Sequence, residues 1–248
     1  DISISDVIHL SGSNIKLDST SLAEKSDIQE FTKVILSNLD IWHKYKQKLY
    51  DNNIFKHDYK DTSRISINKC LVESEELKLI YNILNYLREK NEVEFIEDKD
   101  NIEVLFKNDY LKGFIFKSGT WLEVLTTLVV QSIEDIDEVK SGLTFYWGDD
   151  LKRVRNELDV VAIRDSVLIC ISCKDSDKYD EDALNELQVY SERLGGKNAI
   201  KILVATKQPV KKTVLDRAKE MNINIVTLDK NIDIFKKALI DLIKKKTV

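Results

Sequence analysis

From Gly119 onward, apolar segments of strand period alternate with segments of helical period, and that alternation restricts the fold more than any other feature of the chain. The spacing predicts a helix over 120–132, a strand near 143–147, and two further strands beginning at Leu158 and Val167. A helix over 183–194 follows, with Leu184, Leu187, Tyr190 or Ser191, and Leu194 on one face and Gly195-Gly196 as its stop. AIKILVAT reads as a buried strand, 210–221 as a helix, INIVTL as a strand and 232–245 as a last helix. Strands and helices in this order imply an α/β fold, a sheet with a parallel part and helices on both faces.

The N-terminal part reads differently. Residues 2–23 alternate only weakly, whereas Ser26 caps a predicted helix over 26–50 that carries Ile28, Phe31, Val34, Ile35, Leu39 and Trp42 at helical spacing. Ser74 opens another helix, with Leu77, Ile80, Leu84 and Leu87 as its apolar stripe. VEFIED and NIEVLFK then alternate with period two on either side of Lys99-Asp100, a hairpin pattern. Helix followed by hairpin makes 1–110 a smaller α+β connecting region, either of winged-helix-like outline or of generic α+β kind, ahead of a second domain over 111–248. One proline and seven glycines leave little room for a flexible linker, so the boundary rests on pattern.

Apolar residues make up 43% of the 248, enough to bury a real core. The chain starts at Asp1 without an initiator methionine, as part of a longer protein would, and no charged n-region precedes an apolar stretch. No apolar run approaches the roughly 18 residues a membrane span needs. The expectation is a soluble cytoplasmic protein with no membrane partner. Cys70, Cys170 and Cys173 are too few and too unevenly placed for a disulfide framework. A net charge of −5 argues against a general coat protein for duplex DNA, so any nucleic-acid contact must use a local basic patch.

Several chemistries lose their usual support. The P-loop, the dinucleotide fingerprint and the nucleophile elbow are absent, and His9, His43 and His57 all precede the α/β half. Cys170 and Cys173 form a C-x-x-C without a second pair, and on a strand two side chains three apart point to opposite faces. They read as buried packing residues.

What remains is acidic and basic. In NELDVVAIRDSVLICISCK, a hairpin through Arg164-Asp165-Ser166 brings Asp159 beside Ser172 and Lys174, which share a strand face. Carboxylates that hold a hard divalent cation, together with an ammonium that positions water and offsets developing charge, are what metal-assisted phosphodiester hydrolysis requires. Glu123, beside buried positions on the 120–132 helix, offers a second carboxylate. Glu157 shares the strand face of Asp159 and either contributes or faces solvent. Lys174 reads equally as a functional ammonium or a solvated strand end. Lys152, Arg153 and Arg155 sit just before this group, as contacts for substrate phosphates or as a solvated charge run, and Tyr146 and Trp147 are either base-stacking or core aromatics.

A helix glutamate, then NELDVV, then a strand-end tripeptide closing in lysine resembles the PD-(D/E)xK, or restriction-endonuclease-like, nucleases. With SGTWLE, ISCK, LNEL and LGG added, the chain looks like the nuclease half of the CRISPR-associated enzymes activated by cyclic oligoadenylate, over about residues 70–248. The resemblance implies a restriction-endonuclease-like mixed sheet flanked by helices. It makes Glu123 the helix glutamate, Asp159 the metal-binding aspartate and Lys174 the motif lysine, with Glu123 and Asp159 holding Mn2+ or Mg2+. Ser172 stands where most of these nucleases have Asp or Glu, with its hydroxyl or a bound water in the acid's place. The resemblance further implies a homodimer that cleaves single-stranded RNA and DNA in type III CRISPR antiviral defence. Cyclic oligoadenylate would act through an upstream sensor of the CARF type, for which residues 1–70 lack the length and the repeated βα pattern. Two other readings stay open: a non-catalytic nucleic-acid-binding or assembly module with a degenerate nuclease fold, and a restriction-type nuclease for duplex DNA.

Overall fold

A computed structural model describes residues 2–15, 21–116, 119–147 and 156–245. In chain order it contains α1 (Ile4–Leu10), β1 (Ser13–Ile15), α2 (Ser26–Ser37), α3 (Leu39–Lys46), β2 (Phe55–His57), β3 (Arg64–Asn68), α4 (Ser74–Glu89), β4 (Val93–Glu97), β5 (Asn101–Phe106) and α5 (Asp109–Phe116). Then come α6 (Thr120–Gln131), β6 (Glu138–Trp147), β7 (Asn156–Arg164), β8 (Val167–Lys174), α7 (Glu181–Gly195), β9 (Ile200–Ala205), α8 (Lys212–Glu220), β10 (Ile223–Thr227) and α9 (Ile232–Lys244). Among the described residues, no single helix is long and apolar enough to cross a membrane.

The larger compact unit joins Asp1–Gln29 to Leu122–Val248. Its six-stranded sheet runs β1-β6-β7-β8-β9-β10, antiparallel through β8 and parallel from β8 to β10. The two parallel pairs are spanned by α7 and α8, the crossover that parallel neighbours require. The compact units do not follow a single cut near residue 110, because β1 pairs with β6, Ser13 opposite Trp147. A three-residue strand with no alternation of its own leaves little trace in sequence, and its partner lies more than a hundred residues away.

Both faces of the sheet are covered. Cys170 meets Ser191 on α7, whereas the Cys173 thiol lies 3.6 Å from the Thr126 hydroxyl on α6. The two cysteines therefore point to opposite faces, as their spacing predicts, and both are buried and free. Burial pushes the Cys170 thiol up to about 12, and burial followed by the Asp159 and Glu123 carboxylates pushes Cys173 well above its ordinary value. Neither is a thiolate near neutral pH, which leaves both as packing groups.

The smaller unit, Glu30–Trp121, carries a four-stranded antiparallel sheet in the order β2-β3-β5-β4. The expected helix and hairpin are α4, β4 and β5, but the hairpin is half of a sheet whose other two strands the sequence pattern did not show. The helix expected over 26–50 is two helices. Asn38 leaves helical geometry at φ −125° and ψ 34°, and its side-chain amide donates to the Val34 carbonyl at 2.8 Å, breaking the run. An Asn that satisfies a preceding carbonyl through its own side chain offers the backbone an alternative to the helix. The apolar spacing continues across the break, which is why periodicity alone reads through it.

Candidate active site

The turn between β7 and β8 fixes the site. Arg164 pairs with Val167 across a two-residue loop, Asp165 and Ser166, whose φ values of 49° and 65° are those of a type I′ turn. Register then follows by counting to Val160 opposite Ile171, the last pair, and one step on Asp159 lies beside Ser172. The β7–β8 ladder stops at Val160–Ile171, while β8 continues beside β9 to Lys174–Ala205. The Asp159 carboxylate sits in the opening fork: its Oδ2 accepts the Cys173 backbone N–H at 2.7 Å and the Ser172 hydroxyl at 3.3 Å. A side chain thus takes up a strand donor that no ladder partner meets.

Glu123 reaches the same place from α6, where Leu122, Val124 and Leu125 around it are buried. A carboxylate among buried neighbours is costly unless it has a task or a partner. Glu123, Glu157, Asp159, Ser172 and Lys174 all line one cavity of about 330 Å³, so the residues singled out on β7, β8 and α6 are brought together. Lys152, Arg153 and Arg155 lie outside the described residues.

The sequence reading missed the fourth wall. Ala183, Glu186, Leu187 and Tyr190 of α7 close the cavity. Burial, then the hydrogen bond and charge of Glu186, push the Tyr190 phenol up to about 12. The available signal was an acid and an aromatic four apart along α7, bordering its apolar stripe. Gly142 was missed as well. It lies opposite Asp159 between the Ser141–Val160 and Leu143–Leu158 pairs, at φ +60°, and a Cβ there would come within 3.7 Å of Glu157 Oε1.

Electrostatically the cavity is acidic, with Glu123, Glu157, Asp159 and Glu186 against Lys174. Burial raises the Asp159 carboxyl above its ordinary value, against the lowering effects of the Cys173 N–H, Lys174 and Ser172, and Glu157 raises it further. Ionised Asp159 is therefore a net cost to the folded state in the absence of a cation. Since the folded value lies above the unfolded one, that cost is absent below about pH 3.8, grows as pH rises through the folded value, and is complete above it. Asp159→Asn in chelator should melt a few degrees higher than wild type at pH 7. The gain should shrink at pH 4, and equal melting points at both pH values would refute this account.

Carboxylate and hydroxyl oxygens are the donor set a hard divalent cation takes. Among the described residues no three His, Cys, Asp or Glu side chains stand together as a finished ligand set. Two carboxylates with the remaining positions left to water and phosphate oxygens is the usual arrangement for Mg2+ at phosphate-handling sites, so Glu123 and Asp159 fit such an ion.

Residues 112–245, more than half of the chain, match the family model described as Card1-like, endonuclease domain. The chain belongs to the Card1-like endonuclease domain family. Two solved structures share its fold. Protein VC1899 from Vibrio cholerae has a TM-score of 0.66 at 20% identity, covering 97% of this chain and 59% of that one. Can2 from Sulfobacillus thermosulfidooxidans, solved in complex with cyclic tetra-adenylate, has a TM-score of 0.63 at 16% identity, covering 97% and 60%. The chain thus spans less than two thirds of the length of either structure. A comparison with curated protein sequences finds no match to the chain.

Proposed function

We propose that this chain is the nuclease part of a CRISPR-associated defence enzyme of type III systems, an endonuclease of the PD-(D/E)xK kind that cleaves single-stranded RNA and DNA with Mn2+ or Mg2+. The observation that carries the reading is Asp159, Ser172 and Lys174 at the diverging ends of β7 and β8, with Glu123 on the same cavity. Family membership supports endonuclease chemistry, and the likeness to Can2, a longer chain solved with cyclic tetra-adenylate, supports a longer enzyme that answers to a cyclic oligoadenylate; that the enzyme is a homodimer with its sensor outside this chain is part of the proposal.

Glu123 and Asp159 would hold the cation, which when bound would polarise the scissile phosphate and lower the pKa of its water. The chain's own groups have distinct tasks. Cys173 N–H and the Ser172 hydroxyl both hold Asp159 Oδ2, fixing the carboxylate. Lys174 places the cavity's ammonium where it attracts a phosphodiester, orients the attacking water and offsets charge building on the phosphate. Ser172 supplies a hydroxyl where an acid is usual, so Asp159 is spared a second carboxylate opposite it.

The test is cleavage of end-labelled single-stranded RNA and DNA by the chain with Mn2+, Mg2+ or EDTA. Internal cuts that appear with a divalent cation and vanish in EDTA are expected. Cutting that persists in EDTA would overturn metal dependence. Binding without turnover at any divalent cation would favour the non-catalytic module that Ser172 brings to mind, and a preference for duplex DNA the restriction-type reading.

A further inference from the structure

Beside the cavity, α7 and the end of β6 build a feature that cation chemistry does not use. The Arg193 guanidinium lies over the Trp147 ring, its Cζ 3.9 Å from the centroid. Tyr190, which lines the cavity, stands 6.0 Å from Trp147 by ring centroids. Phe145 buttresses both, 4.9 Å from Trp147 at 72° and 5.3 Å from Tyr190 at 88°, and is itself wholly buried. The Trp147 ring is thereby locked in place by edge contacts.

Arg193 itself is exposed and makes no ion pair or hydrogen bond among the described residues. An exposed arginine ordinarily keeps its rotamer freedom or seeks a carboxylate, yet this one lies over an indole, its Cζ 3.9 Å from the centroid. A guanidinium stacked on one aromatic face has a second planar face open, with in-plane N–H donors beside it. Planar stacking with a neighbouring cation is how proteins hold unpaired bases without reading their sequence.

We propose that Arg193, held over Trp147, is the stacking shelf for one unpaired base of the nucleic acid bound in the Glu123–Asp159–Lys174 cavity. The proposal rests on the nuclease reading and deepens it, since a base can occupy the shelf only when it is out of a duplex stack. The shelf would thus select single-stranded over double-stranded substrate, and would do so by shape and stacking, with little base preference. It also adds a cation one aromatic ring away from Tyr190 of an acidic cavity, where a polyanion needs one.

The experiment uses the Asp159→Ala chain, so that the probe survives, and a fluorescein-labelled single-stranded DNA in which one abasic nucleotide is moved along the strand. One position of the abasic residue should weaken binding about tenfold, the loss of one stacked base. Arg193→Ala should weaken binding of the intact strand by the same factor, and should add nothing when the abasic nucleotide is at that position. Arg193→Lys, which keeps the charge and loses the plane, should behave like Arg193→Ala. An unchanged melting temperature confirms that the exposed position is not structural.

Recovery of full affinity in Arg193→Lys would overturn the shelf in favour of a plain phosphate contact. A flat abasic scan on a strand that still binds would overturn the shelf while leaving the nuclease reading intact. Failure of the chain to bind or cut any single strand would overturn both.

Discussion

Asp159→Ala and Lys174→Ala should each lower cleavage of single-stranded substrate by about 10²–10³-fold, the usual effect of removing one preorganised charge from a site where charge develops. In the proposed reaction the two would act on the same phosphate from opposite strands of one hairpin, so the double variant should fall little further than either single one. Ser172→Ala should cost less than about tenfold. The 3.3 Å hydroxyl bond to Asp159 is long, and the 2.7 Å Cys173 N–H bond still holds the same oxygen. Rates measured under single-turnover conditions with saturating Mn2+ check this ranking. Unchanged rates in both alanine variants would remove these residues from the chemistry, and a Ser172→Ala loss as large as that of Asp159→Ala would make the hydroxyl a cation ligand instead of a support.

The grouping of Asp159 with Ser172 and Lys174 was legible in sequence because a short turn, placed at Arg164-Asp165-Ser166, converts spacing into register. Once Asp165-Ser166 is read as the turn, Asp159 must face Ser172, and strand alternation must put Lys174 on the same side. The strands and helices from Leu143 to Lys244 were legible for a related reason, since each buries a continuous stripe against the same sheet and so carries its own period, whereas the half-buried start of β6 from Glu138 was not. The parts that escaped have no local period to show. β1 and β2 are three residues long, and β3 alternates over only five. What makes them strands is pairing to distant partners, Ser13–Trp147 and Ile67–Ile102 among them. The same holds within the site. Glu186 and Tyr190 belong to it only because α7 lies across β8, and residue spacing says nothing about which side chains of a helix border a cavity built by other elements.

How closely α7 must lie is set by Gly195, and Gly195→Ala is expected to be strongly destabilising. By intrinsic propensity alone, alanine near a helix end should help by about 0.5–1 kcal/mol. Sterics decide otherwise: a Cβ at Gly195 would lie 2.7 Å from the Leu168 Cβ and 3.1 Å from the Ala199 Cβ. The Leu168 Cβ is fixed to the backbone of β8, so no rotamer change relieves the contact and α7 has to lift from the sheet. Overpacking of this kind costs about 1–3 kcal/mol, which in a chain of this size lowers the melting temperature by on the order of 5 °C. Gly196→Ala is the control. Nothing lies within 4 Å of its Cβ, so only backbone strain remains: φ +69° with ψ −169° is a region essentially restricted to glycine, and alanine there costs about 1–3 kcal/mol without displacement of the helix. Because α7 carries Glu186 and Tyr190 to the cavity and Arg193 to Trp147, lifting it should also slow cleavage by Gly195→Ala, whereas Gly196→Ala should cut at the wild-type rate below its melting transition. A Gly195→Ala chain that melts at or above the wild-type temperature would show that α7 is not seated on β8 through this glycine.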